Sequence, residues 1–354
     1  MTNATSRILW PLAACFGWGV ALRAAAYRRG WLATRRLGRP VVSVGNLSVG
    51  GTGKTPLVEW LARTLAGRGL KPGILTRGYG RRRGDALIAI APGAGRAPDP
   101  RAVGDEPAWL ARTLADVPIV VGADRYRAGR MAEDRFHVGV HLLDDGFQHL
   151  GLERQADIVA LDATQNLEDQ ALLPAGRLRE PMSALARAHF IVLTRTELAD
   201  PAPLEARVRQ INPRAGIFRS RTKLCRLVDA QTGEAHAPGA WRGQPVHACC
   251  GIGNPQAFAG DLASWGLQVT GRSVFGDHHV YGAAEIEGLG ARAREAGARA
   301  LVVTEKDAIN FPARWRSDVP VLACAVGIEL DQGPALEQAL VALIEPPATP
   351  GAQY

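Results

Sequence analysis

Short apolar runs alternate with longer amphipathic stretches along most of the chain after Pro40. Runs of this kind, separated by stretches long enough for helices, are typical of βαβ units and of a parallel sheet covered on both faces. Strands are predicted at 40–47, 73–80, 118–123, 137–146, 157–161 and 189–194, and helices at 54–68, 103–115 and 125–135. The predicted fold class is α/β, with a doubly wound, mainly parallel sheet over 40–199.

The pattern is less regular over 200–244, and we expect a linker with a short β-hairpin there. Beyond it the alternation resumes, which predicts a second, smaller α/β domain over 245–345. Its strands are expected at 245–250, 267–275, 300–304 and 320–326, and its helices at 255–265, 284–297 and 334–345. A return of the chain to the first domain at its end remains an option, and 346–354 is expected to be a tail.

The first 39 residues have a different pattern. Residues 8–22 are mostly apolar and uncharged, and most of the arginines follow them, whereas a signal peptide has its positive charge first. Fifteen residues are fewer than the about 20 that span a bilayer, and Trp10, Trp18 and Trp31 next to arginines suit a membrane interface. We predict an amphipathic helix within 1–39 that lies on an anionic leaflet; packing on the protein's own core is the alternative.

Composition and charge narrow the class of protein. With 354 residues, 47% apolar and 21% charged, the chain is neither disordered, nor a disulfide miniprotein, nor a polytopic membrane protein. Its five cysteines are scattered without a CxxC, which indicates reduced thiols and no zinc ribbon. Seven of the 42 basic residues lie in the first 39 residues, which hold no acid, so the rest has 35 basic against 34 acidic residues. No nucleic-acid partner is expected.

A glycine-rich segment between a predicted strand and helix is the strongest chemical motif. It consists of Ser48, Val49, Gly50, Gly51, Thr52, Gly53, Lys54 and Thr55, with Ser48 where the strict Walker pattern has glycine. Backbone N–H groups of such a loop and the helix N-terminus bind phosphate, the lysine reaches the β- and γ-oxygens, and the hydroxyl that follows suits Mg²⁺. We predict a nucleotide-binding loop.

Acidic residues at a strand end supply the second motif. Asp144 and Asp145 end an apolar strand, where the metal-binding acid of such enzymes lies, so both are predicted to join Thr55 near Mg²⁺. The sequence leaves open which of the two contacts the metal. Asp105, at the start of the predicted helix over 103–115, is either an N-terminal cap, for which Glu106 would serve as well, or a catalytic acid.

Several basic and polar residues have two interpretations. Arg77 and Arg81, with Arg82 and Arg83, either contact anionic groups of a substrate or belong to a solvated loop. Asn46 is also an expected substrate contact. Lys306 either contacts the nucleotide or a closing cleft, or forms a salt bridge at a strand end.

Taken together, seven ordered motifs resemble the tetraacyldisaccharide 4′-kinase family. They are GNLSVGGTGKTP (45–56), LTRGYGR (75–81), VGDEP (103–107), LLDDGFQH (142–149), PAGRLREP (174–181), FGDHH (275–279) and VTEKDA (303–308). The resemblance implies transfer of phosphate from ATP, with Mg²⁺, to the 4′-hydroxyl of a tetraacylated glucosamine disaccharide 1-phosphate, a step of lipid A synthesis. It also implies a P-loop NTPase-like domain joined by a β-stranded linker to a smaller Rossmann-like domain, at the cytoplasmic face of the inner membrane. The lipid and the membrane are the expected partners, and no protein partner is predicted.

The resemblance also assigns roles. Asp105 matches the family's catalytic acid, which accepts the hydroxyl proton, and His278 matches its partner, while Lys54 neutralises charge on the transferred phosphate. His279 is the alternative for the histidine role and an expected substrate contact. Gly276 stands where many relatives have proline or alanine, which we interpret as a small adjustment of the turn. A GTPase switch lacks support, since TRTE (194–197) is a poor match to the guanine-specific NKxD motif. A nucleotide-binding scaffold without catalysis is the other rival.

Overall fold

A computed structural model of the protein describes residues 3–79, 81, 86–93, 98–167 and 170–345. The predicted tail, Arg82 and Arg83 lie outside the described residues. The helices are α1 Asn3–Arg28, α2 Lys54–Gly67, α3 Pro100–Val103, α4 Asp105–Thr113, α5 Arg125–Phe136, α6 Ala202–Ile211, α7 Pro255–Ser264, α8 Ala283–Glu295, α9 Glu305–Ile309 and α10 Gly333–Ile344. Short 3-10 helices cover Met182–Arg187 and Pro238–Trp241.

Within the described residues, thirteen strands form one sheet. They are β1 Val41–Gly45, β2 Pro72–Thr76, β3 Ile88–Ile90, β4 Ile119–Val121, β5 Val140–Asp144, β6 Ala156–Asp162, β7 Phe190–Thr194, β8 Gly216–Asp229, β9 Ala235–His236, β10 Pro245–Cys250, β11 Gln268–Val274, β12 Ala300–Thr304 and β13 Val321–Leu330. The order is β11-β10-β12-β13-β8-β7-β6-β1-β5-β2-β4-β3, with β9 on β8. Most pairs are parallel, so the predicted α/β class is confirmed.

Strand β8 joins the two halves of the sheet. Its first residues, 216–219, pair in parallel with β7, and residues 220–229 pair antiparallel with β13. The segment 200–244, expected to be a linker with a short hairpin, contains that hairpin as β8–β9 and also holds helix α6 and this long strand. Charged residues on the exposed positions of β8 and α6 hid both elements, because they interrupt the apolar run that the pattern depends on.

Separate apolar clusters fill the two halves. Leu57 and Leu61 of α2 pack with Val42 and Leu142 on one face of the first half, and Val246, Phe258 and Leu322 belong to a cluster in the second. Helix α10 follows the last strand of the second half, yet its Leu336, Leu340 and Ile344 lie in the first half's cluster. Helix α10 therefore connects the second half of the sheet to the apolar core of the first half.

Candidate active site

The glycine-rich loop connects β1 to α2. Gly50 and Gly53 have φ angles of 111° and 78°, in the left-handed region that L side chains rarely adopt. A Cβ atom at Gly50 would lie 2.1 Å from the guanidinium of Arg177, which itself bonds the carbonyls of Val49 and Gly253 at 2.9 Å. Both glycines are therefore required by the backbone conformation of the loop.

The Asn46 side chain forms hydrogen bonds with three residues of this loop. Its amide nitrogen donates to the carbonyl of Ser48 at 2.7 Å and to the hydroxyl of Thr52 at 2.9 Å. Its amide oxygen accepts from Lys54 Nζ at 3.2 Å, and the side chain is fully buried. Both ends of the amide are thus occupied within the loop, which fixes the position of the lysine.

Lys54 and Arg179 both bind Asp145. Lys54 Nζ pairs with Oδ1, and Arg179 donates to Oδ2 at 2.6 Å. Burial by itself would raise the pKa of Asp145, but the two cations outweigh it and hold the pKa well below its usual range. Asp145 therefore stays ionised, and its left-handed backbone, with φ of 51°, turns it to these partners.

Asp144 has a different environment from its neighbour. It is buried, Thr76 Oγ1 donates to its Oδ2 at 2.9 Å, and its Oδ1 is buried without a hydrogen-bond partner. Burial, followed by the charge of Glu106, raises its pKa to about 6. A buried carboxylate oxygen left without a donor fits a cation ligand, so the donor set suits Mg²⁺ at this position.

Glu106 and Lys306 add a charge pair that the sequence did not assign. Lys306 Nζ donates to Glu106 Oε1 at 2.9 Å and to Thr55 Oγ1 at 3.2 Å. The charge of Lys306 lowers the pKa of Glu106 to about 2. Of the two interpretations of Lys306, the salt bridge at a strand end is the one observed, and this ion pair also joins the two halves of the protein. The described residues contain no cluster of three or more His, Cys, Asp or Glu arranged for a metal, but magnesium needs only one or two carboxylates beside phosphates and waters.

Asp105 and His278 meet across the two halves of the sheet. His278 Nδ1 lies 2.8 Å from Asp105 Oδ2, and Asn310 Nδ2 donates to the same oxygen at 3.0 Å. This hydrogen bond to Asp105 raises the pKa of His278. The helix-cap interpretation of Asp105 is wrong, because Gly104 occupies the cap position and Asp105 is the first residue of α4. The Asp105 side chain is 16% exposed and that of His278 37%, so both remain accessible.

The neighbouring His279 has a different set of contacts. Its ring stacks on Phe275 with the centroids 4.4 Å apart, and its Nε2 lies 2.8 Å from Glu285 Oε2. Both contacts lie within the second half. Of the two histidines, His278 is the one that bonds Asp105.

A cavity of about 1200 Å³ brings these groups together. The glycine-rich loop, Asp105, Glu106, Asp144, Asp145, His278 and Lys306 line it, as do Arg77 and Arg125. Arg125 is buried and bonds the Gly122 carbonyl at 2.7 Å; no motif identified it, because its position depends on the ends of strands distant in sequence. Arg81 donates to the Ala86 carbonyl at 2.7 Å and is not among the lining residues.

Helix α1 forms part of the same cavity wall through Phe16, Val20 and Arg23. Arg23 also donates to the Gln148 carbonyl at 3.2 Å. By length and composition alone, the helix segment Leu9–Arg28 could span a membrane. Only 11% of its most apolar 18-residue stretch is buried in the protein. The helix is longer than the apolar run over 8–22, because it continues through the alanines after Arg23.

Comparison with known proteins gives a consistent result. The family model described as tetraacyldisaccharide-1-P 4′-kinase matches residues 5–345. A tetraacyldisaccharide 4′-kinase of Koribacter versatilis is 40% identical over 341 residues, covering 95% of this chain and 98% of its own length. The enzyme of the same name from Geobacter sulfurreducens is 39% identical, covering 96% and 94%. The crystal structure of LpxK from Aquifex aeolicus in complex with ATP matches with a TM-score of 0.75 and 29% identity, covering 96% of this chain and all of that one.

Proposed function

Since the chain belongs to the tetraacyldisaccharide-1-P 4′-kinase family, we propose that it transfers the γ-phosphate of ATP to the 4′-hydroxyl of a tetraacylated glucosamine disaccharide 1-phosphate. The product is the 1,4′-bisphosphate, and the reaction is a step of lipid A biosynthesis. The observation that supports this most directly is the hydrogen-bonded pair of Asp105 and His278, which lines the same cavity as Lys54 of the glycine-rich loop. A general base and a phosphate-binding lysine facing one space are what transfer to an alcohol requires.

The nucleotide is assigned to the glycine-rich loop. Its backbone N–H groups and the start of α2 cradle the phosphates, and Lys54, held by Asn46 and Asp145, neutralises charge on the transferred group. Thr55, Glu106 and Asp144 would hold Mg²⁺, whereas Asp145 is already bound by two cations. When bound, Mg²⁺ supplies charge neutralisation at the phosphate oxygens.

Asp105 is assigned the proton transfer. His278 and Asn310 both bond Oδ2, which leaves Oδ1 to accept the proton of the 4′-hydroxyl. The two partners fix the rotation of the carboxylate, so that little reorganisation precedes the reaction. Because His278 lies in the second half and Asp105 in the first, the base is fully oriented only when both halves are in contact.

The lipid substrate accounts for the position of α1. The helix lines the cavity on one side and exposes large apolar side chains on the other, including Trp10, Trp18 and Leu22. A protein bound to the bilayer through these residues places its cavity at the level of a lipid headgroup. We propose that the enzyme acts at the cytoplasmic face of the inner membrane, as the resemblance to the family implies.

The decisive experiment follows labelled γ-phosphate from ATP to a tetraacyl disaccharide 1-phosphate in detergent micelles. We expect label on the lipid at the 4′ position. Release of phosphate in the absence of lipid would instead favour a nucleotide switch. Nucleotide binding without transfer to any acceptor would favour a scaffold.

Membrane binding is tested on one exposed residue of α1. The substitution Leu22→Glu is expected to reduce co-sedimentation with anionic vesicles severalfold, because it places a charge at the apolar interface. Leu22 is 65% exposed, so we expect its substitution to leave the fold intact. The matched control is Leu343→Glu on α10, also exposed at 41%. Equal sedimentation of both variants would contradict the role of α1.

A further inference from the structure

Lys306 connects the second half of the protein to the loop of the first. It is the second residue of α9, and its ammonium group bonds Glu106 Oε1 at 2.9 Å and Thr55 Oγ1 at 3.2 Å. Thr55 Oγ1 also donates to Glu106 Oε1, at 3.3 Å. The ammonium thus binds two of the three groups assigned to Mg²⁺.

The backbone that presents Lys306 is held firmly against the first half. Trp109 Nε1 on α4 donates to Glu305 Oε2 at 3.0 Å, and Asn310 Nδ2 donates to Asp105 Oδ2 at 3.0 Å. These bonds lie on both sides of Lys306 along the chain. The position of its ammonium group is therefore set by the contact between α4 and α9.

We propose that the ammonium group of Lys306 occupies the magnesium position in the nucleotide-free enzyme, and that it must leave when Mg²⁺ and nucleotide bind. The inference rests on the proposed function, from which the assignment of Thr55 and Glu106 to the metal comes. The ammonium keeps the carboxylate of Glu106 neutralised while no metal is present. The contact between the two halves is thereby linked to the state of the nucleotide site.

Repulsion between the two cations favours the exchange. Magnesium binds oxygen at about 2.1 Å and demands octahedral geometry, whereas the ammonium holds the same oxygens at hydrogen-bond distance. Mg²⁺ bound to Thr55 Oγ1 and Glu106 Oε1 would lie next to the ammonium group of Lys306, and the two positive charges repel at such close range. Occupancy by Lys306 therefore competes with metal binding.

The test measures Mn²⁺ binding to the full chain without nucleotide, by electron paramagnetic resonance of the free ion. Lys306→Met is expected to bind Mn²⁺ about tenfold more tightly than the wild type, because the competing cation is gone. Lys306→Arg keeps the charge and should bind as weakly as the wild type. The matched control is Lys223→Met, which removes an exposed lysine of β8 that lies outside the cavity.

A double variant tests the position of the ion. Adding Glu106→Gln to Lys306→Met should abolish the gain in Mn²⁺ affinity, since it removes one ligand. Mn²⁺ affinity that is unchanged or weaker in Lys306→Met, or a gain that survives in the double variant, would overturn the proposal. If the methionine variant does not fold, Lys306→Gln replaces it with the same expectation. The lipid transfer assay on the wild type is independent of these measurements, so failure of either proposal is recognised separately.

Discussion

Asp105→Asn is expected to lower kcat for transfer to the lipid by about 10²- to 10⁴-fold, the range that a positioned general base contributes. The amide keeps the shape of the carboxylate and a hydrogen-bonding oxygen near Asn310, but it cannot accept the hydroxyl proton. Affinity for ATP should change little, because Asp105 is not part of the glycine-rich loop. Single-turnover kinetics with labelled ATP separate the two quantities.

A spectroscopic measurement on the same variant supports the assignment. The hydrogen bond that His278 donates to Asp105 raises the pKa of His278, because a carboxylate partner favours the protonated imidazole. In Asp105→Asn the His278 pKa should therefore fall, and the ring should lose its proton at a lower pH than in the wild type. Titration by nuclear magnetic resonance checks this. An unchanged His278 pKa would contradict the pairing in solution.

The two adjacent histidines give a matched comparison. His278→Ala removes the bond to Asp105 and should reduce kcat strongly, whereas His279→Ala removes a ring that stacks on Phe275 and should reduce kcat much less. The reverse order would transfer the role to His279.

Lys54→Met is the second substitution with a large expected effect, a fall in kcat of about 10²- to 10³-fold. Loss of one preorganised electrostatic contact to the transition state has this magnitude. The side chain is buried and is the one lysine of the loop, so no other loop side chain brings a positive charge to the transferred phosphate. The measurement is kcat at saturating ATP, with Lys223→Met as the control.

Stability must be separated from catalysis in this variant. Removal of one partner from a buried ion pair costs about 3–5 kcal/mol when it isolates the other charge. Asp145 keeps its bond to Arg179, so we expect a smaller loss, measured by urea unfolding. The double variant Lys54→Met with Asp145→Asn should recover part of the stability without recovering transfer. Recovered activity would refute the role of Lys54.

The sequence by itself determined the local features of this protein. Apolar alternation fixed the α/β class and most strands and helices, because burial on both faces of a parallel sheet selects continuous apolar runs. The nucleotide loop was also recognisable, since its glycines, lysine and hydroxyl act from adjacent positions between β1 and α2. Elements with charged exposed faces, α6 and β8, escaped the pattern.

Only the tertiary structure decided which distant residues meet. Asp105 and His278 are 173 positions apart, and Glu106 and Lys306 are 200 apart. Neither pair has a local pattern, because each depends on how β8 joins the two halves and how α9 packs on α4. The tertiary structure also separated two adjacent aspartates into different environments: Asp145 is bound by two cations, whereas Asp144 has one buried oxygen without a donor. Charge environment depends on neighbours in space, and for these residues most of the neighbours come from other elements of the fold.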